Sequence, residues 1–129
     1  MSKLIVLIFM LYMHIIDDYK IQGILASMKQ KDWWKKNAPD EIYQNDYLMA
    51  LYEHAFCWTV SINIPILVYS LLCNVHINRV QFILTFFCMW MIHAIVDNLK
   101  ANDHFINLIT DQIIHILQVI SCWLLFVLG

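Results

Sequence analysis

Residues 80–100 read VQFILTFFCMWMIHAIVDNLK, an apolar stretch that is long enough for a membrane-spanning helix and still carries three ionisable side chains. His93 and Asp97 are four residues apart, and Lys100 follows three residues later. A helix places all three on one face. Ionisable groups are costly in hydrocarbon, and membrane helices that contain them usually use them for function. The stretch therefore predicts a membrane fold with a polar site inside it.

The composition of the whole chain supports this interpretation. Of its 129 residues, 61% are hydrophobic and 14% are charged, against about half and about a quarter in soluble domains. Only two glycines and two prolines interrupt it, which favours long helices. The net charge of −2 gives no basic surface for nucleic acid, so we expect no nucleic-acid partner. We expect one all-α domain, residues 1–129, in the membrane.

Hydropathy divides the chain into four candidate spans, which predicts a four-transmembrane-helix bundle. The spans are residues 4–28, 46–73, 80–99 and 105–128. A bilayer requires roughly 20 apolar residues per span. The N-terminal stretch runs on into Asp17 and Asp18 without a small-residue cleavage site, so we expect a retained first span and not a signal peptide. The short turns after the second and third spans make consecutive spans antiparallel.

A longer connection, residues 29–45, joins the first two spans and mixes lysines with Trp33 and Trp34. This pattern is typical of an interfacial segment at the membrane surface, and an ordinary polar loop is the alternative. Six of the eight Lys and Arg residues lie at the end of the first span or on the connections after the first and third spans. The positive-inside rule then places the long connection in the cytoplasm and both termini outside. We therefore expect a multi-pass inner or plasma membrane protein in contact with membrane lipids.

The other spans also carry ionisable residues at helical spacing. His14 and Asp18 are four apart in the first span, Asp111 and His115 are four apart in the fourth, and His54 lies in the second. The fourth span runs opposite to the first and third, and its Asp–His order is also reversed. All three pairs therefore come to the same depth. This predicts a layer of histidines and a shallower layer of aspartates at the cytoplasmic end of the bundle.

Imidazole and carboxylate groups from facing helices are the ligand set of carboxylate-bridged di-metal bundles. Mixed His and Asp ligands favour Zn, Mn or Fe over Ca or Mg, as one ion or two. The predicted metal ligands are His14, Asp18, His93, Asp97, Asp111 and His115. His54 is predicted to be a further ligand or a general base. Lys100 is predicted to stabilise negative charge, or else to reach the lipid headgroups. Gln22 and Gln112 are candidates to orient ligands.

The ordered set of site residues resembles one known family. It comprises His14-x-x-x-Asp18-Tyr19-x-x-Gln22, His54, His93-x-x-x-Asp97-x-x-Lys100 and Asp111-Gln112-x-x-His115. A set like this is found in short membrane proteins of bacteria and phages that form a domain family of unknown function, the DUF3307-type family. The resemblance covers nearly the whole chain. It implies the site residues but no particular reaction, because the family has no settled activity.

Three functions fit these features. The leading hypothesis is a metal-dependent hydrolase acting on a lipid or phosphate-containing substrate, because a bound metal ion activates water and polarises a phosphoryl or acyl oxygen. The second is a small transporter, channel or proton path along the same polar layer. The third is a membrane interaction protein, for instance one used by a phage, in which a metal or polar network only holds the fold. A homo-oligomer or another membrane protein stays open as a partner.

Overall fold

The computed structural model describes residues 2–129, which form six α-helices and no β-strand. The helices are α1 Lys3–Ile16, α2 Leu25–Met28, α3 Lys31–Asn37, α4 Tyr47–Cys73, α5 Arg79–Ala101 and α6 Leu108–Trp123. Two π-helical turns, Asp17–Ile21 and Leu124–Leu128, continue α1 and α6, and a 3-10 turn, Glu41–Tyr43, lies before α4. The predicted all-α class is confirmed.

Three helical stretches are long and apolar enough to cross a membrane, namely Glu41–Cys73, Arg79–Ala101 and Leu108–Leu128. They contain most of the predicted second, third and fourth spans. By length and composition the first helix is not one of these candidate spans, since Asp17, Asp18 and Lys20 interrupt its last turns. The first helix is also shorter than predicted. Gly23 has a φ of 53°, a left-handed conformation that ends helices, so α2 is a separate short helix.

The four longer helices, α1, α4, α5 and α6, pack on one another. α1 contacts α4 and α6, and α5 contacts the same two helices. Tight turns enforce antiparallel neighbours: Asn74 ends α4 with a φ of 52°, and the side chain of Asn78 caps α5 by accepting from the backbone N–H of Gln81. Asn107 caps α6 in the same way, accepting from the N–H of Thr110.

The interior of this assembly is divided into an apolar half and a polar half. The apolar half includes Met10, Trp58, Ile62 and Val119, all fully buried. Close packing of such side chains stabilises helix association even in lipid. The polar half lies at the end where α1 and α5 finish and α4 and α6 begin. Buried in it are Asp17, Asp18, Lys29, His54, His93, Asp97, Asp111 and His115.

Candidate metal centre

The π-helical turn after α1 directs two consecutive aspartates into the interior. Asp17 is 3% exposed and Asp18 is 7% exposed. Ser61 Oγ of α4 donates a hydrogen bond to Asp17 Oδ1 at 2.9 Å, whereas Asp18 faces histidines of α4 and α5. Such turns shift the side chains out of α-helical register and are frequent at functional sites. Asp18 is therefore the acid of the pair that joins the histidines.

Asp18, His54 and His93 bring one donor atom each to a common point. His54 Nε2 lies 3.3 Å from His93 Nε2 and 3.4 Å from Asp18 Oδ1. His93 Nε2 lies 3.8 Å from the same carboxylate oxygen. Ligands of a tetrahedral ion with bonds of about 2.1 Å are about 3.4 Å apart. The three buried groups are therefore spaced so that they could hold one metal ion.

A second group of possible ligands consists of His93, Asp97 and His115. His115 Nε2 lies 3.4 Å from Asp97 Oδ1. The other oxygen of this carboxylate already accepts a hydrogen bond from Lys29 Nζ at 2.6 Å. A lysine ammonium beside a ligand repels a metal cation. Asp97 is itself a ligand of the second group and only a neighbour of the first, so the group that contains Asp18 is the better metal site of the two.

Two lysines supply the positive charge next to the remaining carboxylates. Lys29 binds Asp97, and Lys100 Nζ lies 2.7 Å from Asp111 Oδ2 and 3.6 Å from Asp97 Oδ1. Among residues 2–129, Asp18 has ion pairs with histidines but none with a lysine. A buried charge is stable only with a partner. Among these residues Asp17 also has no lysine partner, but it belongs to neither group of possible ligands, so Asp18 is the carboxylate at which a further cation fits best.

Gln118 fixes the tautomer of His115. Its Nε2 donates to the backbone carbonyl of Met89 at 3.1 Å, so its Oε1 is the atom 3.0 Å from His115 Nδ1. His115 Nδ1 must then carry the proton. The other ring nitrogen, Nε2, faces the Asp97 carboxylate, and this contact is attractive only with a proton or a metal ion between the two atoms.

Trp58 holds two of the histidines in place. Its Nε1 donates to His14 Nδ1 at 2.9 Å, so the lone pair of that nitrogen is already used. Its ring stacks on the ring of His93, with centroids 4.1 Å apart and an interplanar angle of 19°. Trp58 is absent from the residues that the sequence predicts for the site. His14 and Asp111 belong to neither group of possible ligands, so their metal-binding roles stay predictions.

Lys29 is the charged residue of the site that sequence analysis missed. It was assigned to the surface connection, but its side chain is only 8% exposed. The connection is bound to the end of α5 through Asn102, whose Nδ2 donates to the Lys29 carbonyl at 3.0 Å and whose Oδ1 accepts from the Lys31 N–H at 2.7 Å. Nothing in the sequence distinguishes Lys29 from the lysines that follow it. Only the docking of the connection identifies it.

A cavity of about 370 Å³ opens beside the candidate metal centre. The residues that line it include Asp18, Gln22, Lys29, Lys100, His104 and Gln112. Gln112 Nε2 donates to Asp18 Oδ2 at 3.1 Å and to Asp111 Oδ2 at 3.0 Å, which is the geometry expected of an orienting residue. Gln22 donates instead to the backbone carbonyl of Asp18. The cavity gives a ligand room next to both the possible metal ligands and the lysines.

The fold and the site together define a class of protein. It is all-helical, has three helices that could cross a membrane, and contains buried His and Asp side chains that could hold a metal ion. No family model, no curated protein and no solved structure matches this chain. The resemblance to the DUF3307-type family stays a prediction, as do the roles of the individual site residues.

Proposed function

We propose that this chain is a membrane-embedded, metal-dependent hydrolase with its site at the cytoplasmic face. The spacing of Asp18 Oδ1, His54 Nε2 and His93 Nε2 carries the proposal. Three protein ligands leave a fourth position for water and substrate, as in catalytic zinc sites. A divalent ion such as Zn, Mn or Fe would activate water at neutral pH and polarise a phosphoryl or acyl oxygen. Of the two carboxylates in the possible ligand groups, only Asp18 lacks a lysine partner, which favours one ion over two.

The remaining polar groups would serve the substrate. Asp97 Oδ2 lies 3.2 Å from His54 Nε2, so this carboxylate is beside the proposed ion and could orient the attacking water. Lys100 is 24% exposed and would hold an anionic group of the substrate. A lipid or phosphate-containing substrate fits a site of this charge at one end of the helices.

The proposal includes α1 as a fourth span, which completes a four-helix bundle. At 1.5 Å per residue, α1 and its π-helical turn would extend about 28 Å, close to the roughly 30 Å of hydrocarbon. Asp17 and Asp18 face other helices and not the lipid, so their charges do not oppose this placement. The distribution of lysines places the long connection in the cytoplasm and both termini outside.

A proton path or channel through the same groups is less well supported. Beyond Trp58 the interior is filled by apolar side chains such as Ile62 and Ile66. The two buried polar side chains of α4 in this half, Thr59 and Asn63, donate hydrogen bonds to backbone carbonyls of their own helix. A conducting path would have to cross this packed region.

The first test is the metal content of the protein after extraction in mild detergent, measured by inductively coupled plasma mass spectrometry. We expect about one transition-metal ion per chain. Asp18→Asn should lower the affinity for the ion at least a hundredfold, because it removes the only charged ligand. Asp40→Asn, which changes an exposed acid in the connection, is the matched control and should leave the affinity for the ion unchanged. Protein without a stoichiometric metal ion would refute the proposal.

The second test is catalysis by the metal-loaded protein. Para-nitrophenyl phosphate and para-nitrophenyl acetate distinguish phosphoryl from acyl transfer, and phosphatidic acid in mixed micelles tests a lipid substrate. We expect turnover that His93→Ala abolishes and that His76→Ala, at an exposed histidine in a turn, preserves. A metal-loaded protein that turns over none of these substrates, or equal activity in the two variants, would argue for a structural metal site.

A further inference from the structure

We infer that the cavity beside the metal centre binds a phosphate group, with Lys29 and Lys100 as its charged contacts. The inference rests on the proposed function, since Asp18 also lines the cavity and its carboxylate would repel an anion unless a metal ion neutralises it. With the ion in place, the cavity would present a metal cation and two ammonium groups to one ligand. A phosphate dianion matches this charge better than a neutral ester does.

The two lysines keep hydrogen-bonding capacity for such a ligand. An ammonium group has three donors. Lys29 Nζ uses one donor on Asp97 at 2.6 Å. Lys100 Nζ uses one donor on Asp111 at 2.7 Å and lies 3.6 Å from the Asp97 carboxylate. Both side chains line the cavity. The carboxylates therefore hold the two ammonium groups in position without exhausting them, a preorganised arrangement for an oxyanion.

The size and position of the cavity also fit a phosphate headgroup. A volume of about 370 Å³ lies in the range of small-ligand sites, roughly 300–1,000 Å³. Ala101 at the end of α5 and Leu108 at the start of α6 lie on its wall. Both are at the limit of stretches that could span a membrane, so the cavity would be level with lipid headgroups. The phosphate could thus belong to a lipid such as phosphatidic acid, or be free in solution.

Binding can be measured on the full chain loaded with metal in phosphate-free detergent. Isothermal titration with inorganic phosphate tests the free anion, and native mass spectrometry with phosphatidic acid against phosphatidylcholine tests the lipid. Lys100→Gln should weaken binding about tenfold or more, because it removes a charge-assisted hydrogen bond. Lys20→Gln, at an exposed lysine near the same end, is the matched control and should bind as the unchanged protein does.

A second variant covers the case in which Lys100→Gln fails to fold. Ala101→Trp keeps both lysines and fills the cavity from its wall, so it should also weaken binding at least tenfold. Saturable binding of either ligand that depends on Lys100 or Ala101 and not on Lys20 supports the inference, and the ligand that binds identifies the source of the phosphate.

Other outcomes separate this inference from the proposed function. Metal-loaded protein that binds neither phosphate nor phosphatidic acid would overturn the phosphate site and leave the metal site standing. If Lys20→Gln weakened phosphate binding as much as Lys100→Gln does, the attraction would be non-specific, and the phosphate site would be overturned too. If no metal binds, the proposed function fails. The phosphate inference, which requires the ion beside Asp18, then fails with it.

Discussion

The sharpest structural prediction concerns Lys29, whose ammonium group is 2.6 Å from Asp97 Oδ2 in the interior. At an effective dielectric constant of about 20, the Coulomb attraction over this distance is about 6 kcal/mol. Desolvation of both groups offsets part of it. Removing one partner of a buried pair leaves the other uncompensated and typically costs about 3–5 kcal/mol. Lys29→Met should therefore lower the free energy of unfolding by about 3–5 kcal/mol.

The assay is reversible unfolding in mixed micelles with increasing sodium dodecyl sulfate, followed by circular dichroism. A chelator is present throughout, so that bound metal does not contribute to stability. Lys20→Met is the matched control, because it removes the same charge from an exposed position, and we expect a change within about 0.5 kcal/mol. The double variant Lys29→Met/Asp97→Asn should be more stable than Lys29→Met alone, since it removes the unpaired charge.

Two results would refute this reasoning. A cost below about 1 kcal/mol for Lys29→Met would mean that the ammonium group is hydrated and the connection is not docked through it. Strict additivity of Lys29→Met and Asp97→Asn would mean that the two side chains do not interact, because contacting residues show coupling in a double-mutant cycle. Either result would also remove Lys29 from the proposed phosphate site.

Three further predictions address the neighbouring contacts. Trp58→Phe should lower stability in detergent by about 2–4 kcal/mol, because it leaves His14 Nδ1 unpaired in the interior and opens a cavity beside His93; no change would show that the indole is not packed there. Asn102→Ala should release the connection, so that trypsin cleaves at Lys31 about tenfold faster than in the unchanged protein; equal cleavage rates would count against the docking. Gln118→Leu should leave metal affinity within about threefold, whereas a tenfold loss would place the ion at His115.

The convergence of the ionisable residues was predictable because it follows from helix geometry. Residues four apart lie on one face, and the reversed order of Asp111 and His115 matches the reversed direction of α6. The structure accordingly brings His115 Nε2 within 3.4 Å of Asp97 Oδ1 on the neighbouring helix. Periodicity and short turns carry this information, and both can be seen in the sequence.

The partner that each buried residue of the site contacts could not be predicted, because it depends on contacts between distant parts of the chain. Lys29 reaches Asp97 only because Asn102 binds the connection to the end of α5. The π-helical turn buries both Asp17 and Asp18 and gives them different partners, Ser61 for the first and the histidines for the second. Residue spacing does not predict such a turn. Likewise, the hydrogen bond that ties His14 to Trp58 depends on how two helices pack. Each is a tertiary effect that local patterns do not encode.

The contacts of the buried charges also bear on how many metal ions the site can hold. Three carboxylates, those of Asp18, Asp97 and Asp111, lie among the histidines, a number that by itself would suit two divalent ions. Lys29 and Lys100 occupy the positions beside Asp97 and Asp111 and supply two positive charges there. A second divalent ion at that place would meet two ammonium groups within a few ångströms, and such repulsion in a poorly hydrated interior is severe. In our proposal, one ion at Asp18 would offset the carboxylate charge that the two lysines leave. The positive charge of that ion and the spare donors of the lysines would then face the cavity where an anionic substrate would bind.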